Sequence, residues 1–134
     1  METIKERYKG KVFVEKQGKR ISAEIEVKES SMEIRFEDKI KSVALNKNNV
    51  FETLRQLDDE LNKEGYKIIC NGTSLNVWPA GFCLNMGDGS LAYRFGKGEK
   101  AILIKVLEYN DWNEYATKEN QKKSINQHIK KDED

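Results

Sequence analysis

The stretch 21–37 reads Ile21-Ser22-Ala23-Glu24-Ile25-Glu26-Val27, Lys28-Glu29-Ser30-Ser31, Met32-Glu33-Ile34-Arg35-Phe36-Glu37. Apolar and polar residues alternate strictly on both sides of a short polar break, the period-2 pattern of strands buried on one face. A two-residue turn at Gly18-Lys19, with Gly first as a type II′ hairpin prefers, leads back to a strand at Val12-Phe13-Val14. Glu29-Ser30-Ser31 makes the next connection, and a short fourth strand is predicted at Ile40–Leu45. Antiparallel strands with one solvated face explain why 35% of the residues are charged.

Outward from this sheet the period changes. Val50, Leu54, Leu57 and Leu61 are spaced 4, 3 and 4 apart, one apolar stripe along a helix over 49–64, with Phe51 at its edge. Asn49 followed by Glu52 suits a capping box, and Gly65 suits a left-handed stop. Strands are then predicted at Tyr66–Cys70, Leu91–Phe95 and Ala101–Tyr109, and a C-terminal helix at Trp112–Ile129 capped by Asp111. Runs of strands before and after a helix, without β-α alternation, predict an α+β domain. We expect a mainly antiparallel sheet of about six strands, one packed amphipathic helix and a C-terminal helix. The 134 residues predict a single domain over 1–134, with 118–134 as a frayed or mobile tail.

Composition excludes several classes of function. With 24 basic and 23 acidic residues the chain is nearly neutral, which argues against nucleic acid or an anionic membrane as partner. One His rules out a multi-His metal centre, and two Cys rule out a four-cysteine zinc site or a disulfide scaffold. We therefore expect no metal and no cofactor. No apolar run approaches the ~18 residues of a membrane-spanning helix, and the N-terminal residues lack a secretory apolar core, so a cytoplasmic protein is expected. Cys70 and Cys83 would then be buried thiols; 12 intervening residues also permit a bridge between them. A Cys–His catalytic pair would need His128, far along the charged C-terminal segment, so no catalytic residue is assigned. Gly87-Asp88-Gly89 and Gly96-Lys97-Gly98 lack the spacing of phosphate-binding loops and read as hairpin turns.

One segment departs from the rest. Cys70–Tyr93 spans 24 residues with a single charged side chain, Asp88, where the chain-wide share would give about eight. The 20-residue connection inside it, 71–90, holds the only Pro and four of the nine Gly. A connection this long is usually a functional or tightly packed loop. Two compatible readings follow: a neutral lid whose short polar side chains satisfy buried backbone groups, or a recognition surface. The second would use Trp78 and Phe82 as anchors and Asn71, Asn76 and Asp88 as orienting groups. The predicted helix adds a second candidate surface, since residues 50–65 carry five acids against two bases, with Asp58, Asp59 and Glu60 consecutive. Consecutive acids fan around a helix and do not converge on a metal ion.

The residues Cys70-Asn71-Gly72, Val77-Trp78-Pro79-Ala80-Gly81-Phe82 and Met86-Gly87-Asp88-Gly89 follow one another within this segment. They resemble a pattern in small bacterial proteins of undefined function, C-N-G, then V-[YW]-P-[SA]-G-[MF], then M-x-x-G. Such proteins are suspected to be immunity proteins of toxin systems, so the resemblance implies a cap for a partner toxin. It covers about 24 of the 134 residues. The function expected is a non-enzymatic protein-binding domain of this immunity type, with an acidic face suited to a basic partner. The alternative is a small-ligand-binding or enzymatic domain with a pocket under the Cys70–Asp88 loop, lined by Trp78, Phe82, Asn71 and Asp88. A third arrangement buries that loop in a homodimer.

Overall fold

A computed structural model describes residues 8–46, 49–79, 88–96 and 100–133, with the backbone alone for 128–133. The fold is α+β; among the described residues it has eight strands in two antiparallel sheets and two helices. Strands β1 (Lys9–Lys16), β2 (Lys19–Val27), β3 (Ser31–Phe36) and β4 (Lys39–Ala44) form a meander, followed by helix α1 (Val50–Asn62) and strand β5 (Lys67–Ile69). A 3-10 turn at Asn71–Thr73 leads to β6 (Val77–Trp78), then β7 (Leu91–Arg94), β8 (Ile102–Lys105) and helix α2 (Lys118–Glu133). The first sheet has the order β4-β3-β2-β1-β5 and curls into half a barrel; the second has the order β6-β7-β8. The count of eight exceeds the expected six because β6 is only two residues long and the strands divide between two sheets.

The alternation in the meander is what builds the core. Val12, Val14, Ala23, Ile25, Met32, Ile34 and Phe36 are all buried on the inner face. The register pairs Val12 with Ala23 and Ile25 with Ile34, so apolar side chains lie side by side across the strands. The outer face carries exposed ion pairs such as Arg35–Glu24 (3.4 Å) and Arg20–Glu15 (3.2 Å), each worth roughly 0–1 kcal/mol. The first hairpin turns at Gln17-Gly18, one residue before the expected Gly18-Lys19. Both residues have positive φ (53° and 78°), the mark of a type I′ turn, whose twist matches the flanking strands. Ser31, expected in the next connection, instead opens β3.

Helix α1 buries Val50, Phe51, Leu54, Leu57 and Leu61 against this face. Asn49 caps it by accepting from the Glu52 amide (3.1 Å), while the Glu52 carboxylate pairs with Lys118 (2.5 Å) instead of closing the capping box. Gly65 (φ 88°) ends it in a Schellman arrangement, with the Tyr66 amide on the Leu61 carbonyl and the Gly65 amide on that of Asn62.

Two elements differ from expectation for one reason: pairing with the segment 71–75. The strand predicted over 101–109 ends at Lys105, because the Asn71 and Gly72 amides donate to Glu108 and Val106 (2.7 and 3.0 Å). The helix predicted from Trp112 begins at Lys118. Residues 114–116 are extended instead, with Leu75 donating to Glu114 (2.9 Å) and Ala116 to Thr73 (2.8 Å). Thr117 therefore replaces Asp111 as the cap, its Oγ1 accepting from Asn120 (3.2 Å). The segment predicted as a tail, 118–134, carries α2 through Glu133, with Gln121 and Ile125 buried. Gly72 sits where a Cβ would run into Leu54 Cδ2 and Val106 side-chain atoms, so the turn can approach the core only without one. Val77, Ala92, Val106 and Leu107 join the same hydrophobic cluster as the first sheet. Among the described residues no helix is long and apolar enough to cross a membrane.

Candidate functional site

The described part of the low-charge segment is mostly interior, and its neutrality follows from that. Asn71 is fully buried; its Nδ2 donates to the Lys105 carbonyl (2.8 Å) and its Oδ1 accepts from Asn113 Nδ2 (2.8 Å). Thr73 Oγ1 donates to the Ile68 carbonyl (2.7 Å), and Ser74 Oγ to that of Cys70 (2.7 Å). Gln121, on the buried face of α2, donates through Nε2 to the carbonyls of Gly72 (3.0 Å) and Ser74 (2.8 Å). Short neutral side chains thus pair backbone groups that water cannot reach, where an unpaired charge would cost several kcal/mol. Burial pushes the Cys70 thiol up to about 11, so this free cysteine is an inert core residue.

The candidate binding residues of this segment point to different places. Trp78 is half-buried, edge-on to Phe51 with ring centroids 5.5 Å apart. Asn76 is exposed and accepts from Ser124 Oγ of α2 (3.0 Å). Asp88 accepts from the Tyr8 hydroxyl and the Ser90 amide, and its carbonyl takes the Val50 amide at the start of α1 (2.6 Å). With Tyr8, Leu45 and Val50 it lines a cleft of about 300 Å³ in which neither Asn71 nor Trp78 takes part. Phe82 and Cys83 lie outside the described residues. The clefts lined by described residues alone do not bring Asn71, Trp78 and Asp88 together.

The acidic surface needs a correction. Asp58 has no solvent exposure, because it sits four residues after Leu54 and three before Leu61, on the apolar stripe itself. Its Oδ1 accepts the Ile68 amide (2.9 Å), and its Oδ2 accepts the Tyr115 hydroxyl (2.6 Å) and Arg55 Nη2 (3.2 Å). Desolvation pushes this carboxyl up, against the opposing pull of Ile68, Tyr115 and Arg55. Asp58 is a structural residue. Asp59 remains exposed, and Glu60, partly exposed, pairs with Lys63 (3.0 Å).

The surface that sequence reasoning missed is β8. It is the last strand of the second sheet, and two of its side chains are large, apolar and exposed: Ile102 at 53% and Leu103 at 46%. Beside it runs a groove of about 390 Å³ that continues to Arg94, Glu108 and Trp112. The Arg94 guanidinium lies 4.0 Å from the centre of the Trp112 ring, a stacked cation, and no described carboxylate pairs with it. A signal was present in Ile102-Leu103-Ile104, three consecutive apolar residues in a strand with one solvated side. Among the described residues no cluster of His, Cys, Asp and Glu could hold a metal ion. No family model matches the chain, and no curated protein matches it.

Proposed function

We propose that this protein is a non-enzymatic protein-binding domain of the immunity type, acting in the cytoplasm by capping a partner toxin. The observation that carries the reading is the exposed apolar edge of β8, where Ile102 and Leu103 lie side by side; among the described residues the other large apolar side chains are covered except Ile40 of β4, which stands alone at 65% exposed. Exposed apolar side chains beside an unpaired strand edge are an aggregation hazard unless a partner covers them. Polar groups around the patch, Arg94, Lys105, Glu108 and Asn110, supply the rim that a specific interface needs. Asp59 and Glu60 on α1 form a second, acidic face that would speed encounter with a basic partner.

The test is co-expression with the product of the gene adjacent to its own. Relief of that product's toxicity, with recovery of a stoichiometric complex, is expected. Undiminished toxicity with no complex by gel filtration of the two purified proteins overturns the reading.

A further inference from the structure

We infer that the groove beside β8 receives an extended segment of the partner protein, added to the sheet as a further strand, with a carboxylate seated on Arg94. The inference rests on the protein-binding reading and specifies what binds.

The backbone is prepared for strand addition at one position. The Val106 amide donates to the Ser90 carbonyl (2.9 Å), so the alternation of an antiparallel ladder turns Ile104 and Ile102 toward β7 and their neighbours outward. At Lys105 the outward carbonyl is taken by Asn71 Nδ2 (2.8 Å). Leu103 is the next outward position by the same alternation, beside the exposed Ile102 and the partly buried Ile104, and all three line the groove. Main-chain pairing would supply affinity there and side-chain pockets specificity, the usual division in strand addition.

Charge fixes the chemistry of the incoming segment and its direction of placement. Arg94 lies opposite Ile102, at one end of β8, and its stacking on Trp112 holds the planar fork in position for a carboxylate. Glu108 lines the groove at the other end, beside Asn71. The complementary segment is thus apolar in its middle and carries its acid at the Arg94 end. A second copy of this chain does not meet that description: its own edge, Lys100-Ala101-Ile102-Leu103-Ile104-Lys105, contains two bases and no acid.

The probes are an acetylated, amidated Val/Thr hexapeptide ending in Asp and the same peptide ending in Lys, titrated into the full chain and followed by amide and guanidinium NMR signals. The Asp peptide is expected to move the Leu103 amide and the Arg94 Nε–H, and to bind roughly tenfold tighter than the Lys peptide, the effect of one charge-assisted hydrogen bond. Arg94→Gln should equalise the two peptides while leaving the Ile25 and Leu57 signals unchanged. Equal binding of both peptides, binding of neither, or shifts confined to other surfaces overturns the inference. So does a concentration-dependent dimer in sedimentation that Leu103→Lys abolishes, since the occupant would then be a second copy. A protein that relieves its neighbour's toxicity yet ignores both peptides keeps the protein-binding reading and loses only the groove.

Discussion

The two outer strands β5 and β8 end their sheets in opposite ways. At β5 both outward groups of Ile68 are closed from within the chain: its amide by Asp58 Oδ1 (2.9 Å) and its carbonyl by Thr73 Oγ1 (2.7 Å). At β8 one outward group, the Lys105 carbonyl, is closed by Asn71, and the exposed stretch beyond it is left with Ile102 and Leu103. The same device, a polar side chain placed on a strand edge, is thus used fully in one place and stopped short in another. An edge finished with buried side chains contributes to stability, and an edge left apolar and open is the kind that strand addition can use.

Breaking the closed edge should have the largest effect. Asp58→Ala removes the acceptor of the Ile68 amide and the charge partner of Arg55, a guanidinium that is 3% exposed and whose Nε and Nη1 have no partner among the described residues. Leaving a buried cation uncompensated costs about 3–5 kcal/mol, read as a lower urea midpoint at unchanged slope. Asp58→Asn keeps an oxygen for Ile68 and should lose less. Thr73→Val comes next, because it leaves the Ile68 carbonyl and the Cys70 amide, both now bonded to Oγ1, without that partner. A loss of about 1–3 kcal/mol is expected by the same denaturation measurement.

Tyr115 tests the closed edge from outside, since its hydroxyl donates to Asp58 Oδ2 (2.6 Å). Tyr115→Phe should cost about 1–2 kcal/mol near neutral pH. Desolvation, reinforced by the Asp58 carboxylate, pushes the Tyr115 hydroxyl up to about 12 from 10. The unfolded chain therefore gives up this proton first as pH rises, while the folded chain still holds it. Its contribution to stability is complete below about pH 10 and is lost as pH rises toward 12, so the gap between wild type and Tyr115→Phe should narrow across that window. A gap independent of pH would separate Tyr115 from the Asp58 network.

The contrast between the edges also marks how far the residues alone could be read. The meander and α1 were legible because each buries one face, and a single buried face imprints its period: two in Ile21–Val27, and 4, 3, 4 from Val50 to Leu61. Asp58 was misplaced because its charge outweighed its position on that same stripe. The start of α2 was misplaced because residues 114–116 pair with 73–75, a partnership about 40 residues distant that no local pattern records. Cys70–Tyr93 stood out correctly as unusual, yet its described side chains are spent largely on internal pairing. The neutral composition of a buried loop and of a recognition surface is the same, because both avoid unpaired charge. Which strand ends a sheet is set by pairing order, so the open edge of β8 became visible only once β6, β7 and β8 were placed side by side.

Leu103→Lys should have the smallest effect on folding and is the sharpest test of the open edge. Leu103 is 46% exposed, so the substitution removes little buried area, and a Lys stem can lie along the same surface with its ammonium in water. Thermal unfolding should change by no more than about 0.5 kcal/mol, the range of ordinary surface substitutions. Edge lysines are also a natural means of blocking strand addition, since a buried ammonium must be desolvated when a new strand covers it. The same variant should therefore lose most of its affinity for the partner, at least about tenfold, while remaining folded. Stability and binding would then separate along the line between the two edges: Asp58 variants lower the urea midpoint, and Leu103→Lys lowers affinity alone. If Leu103→Lys instead destabilises the fold by 3 kcal/mol or so, a core-like loss, β8 is as closed as β5 and the distinction between them fails.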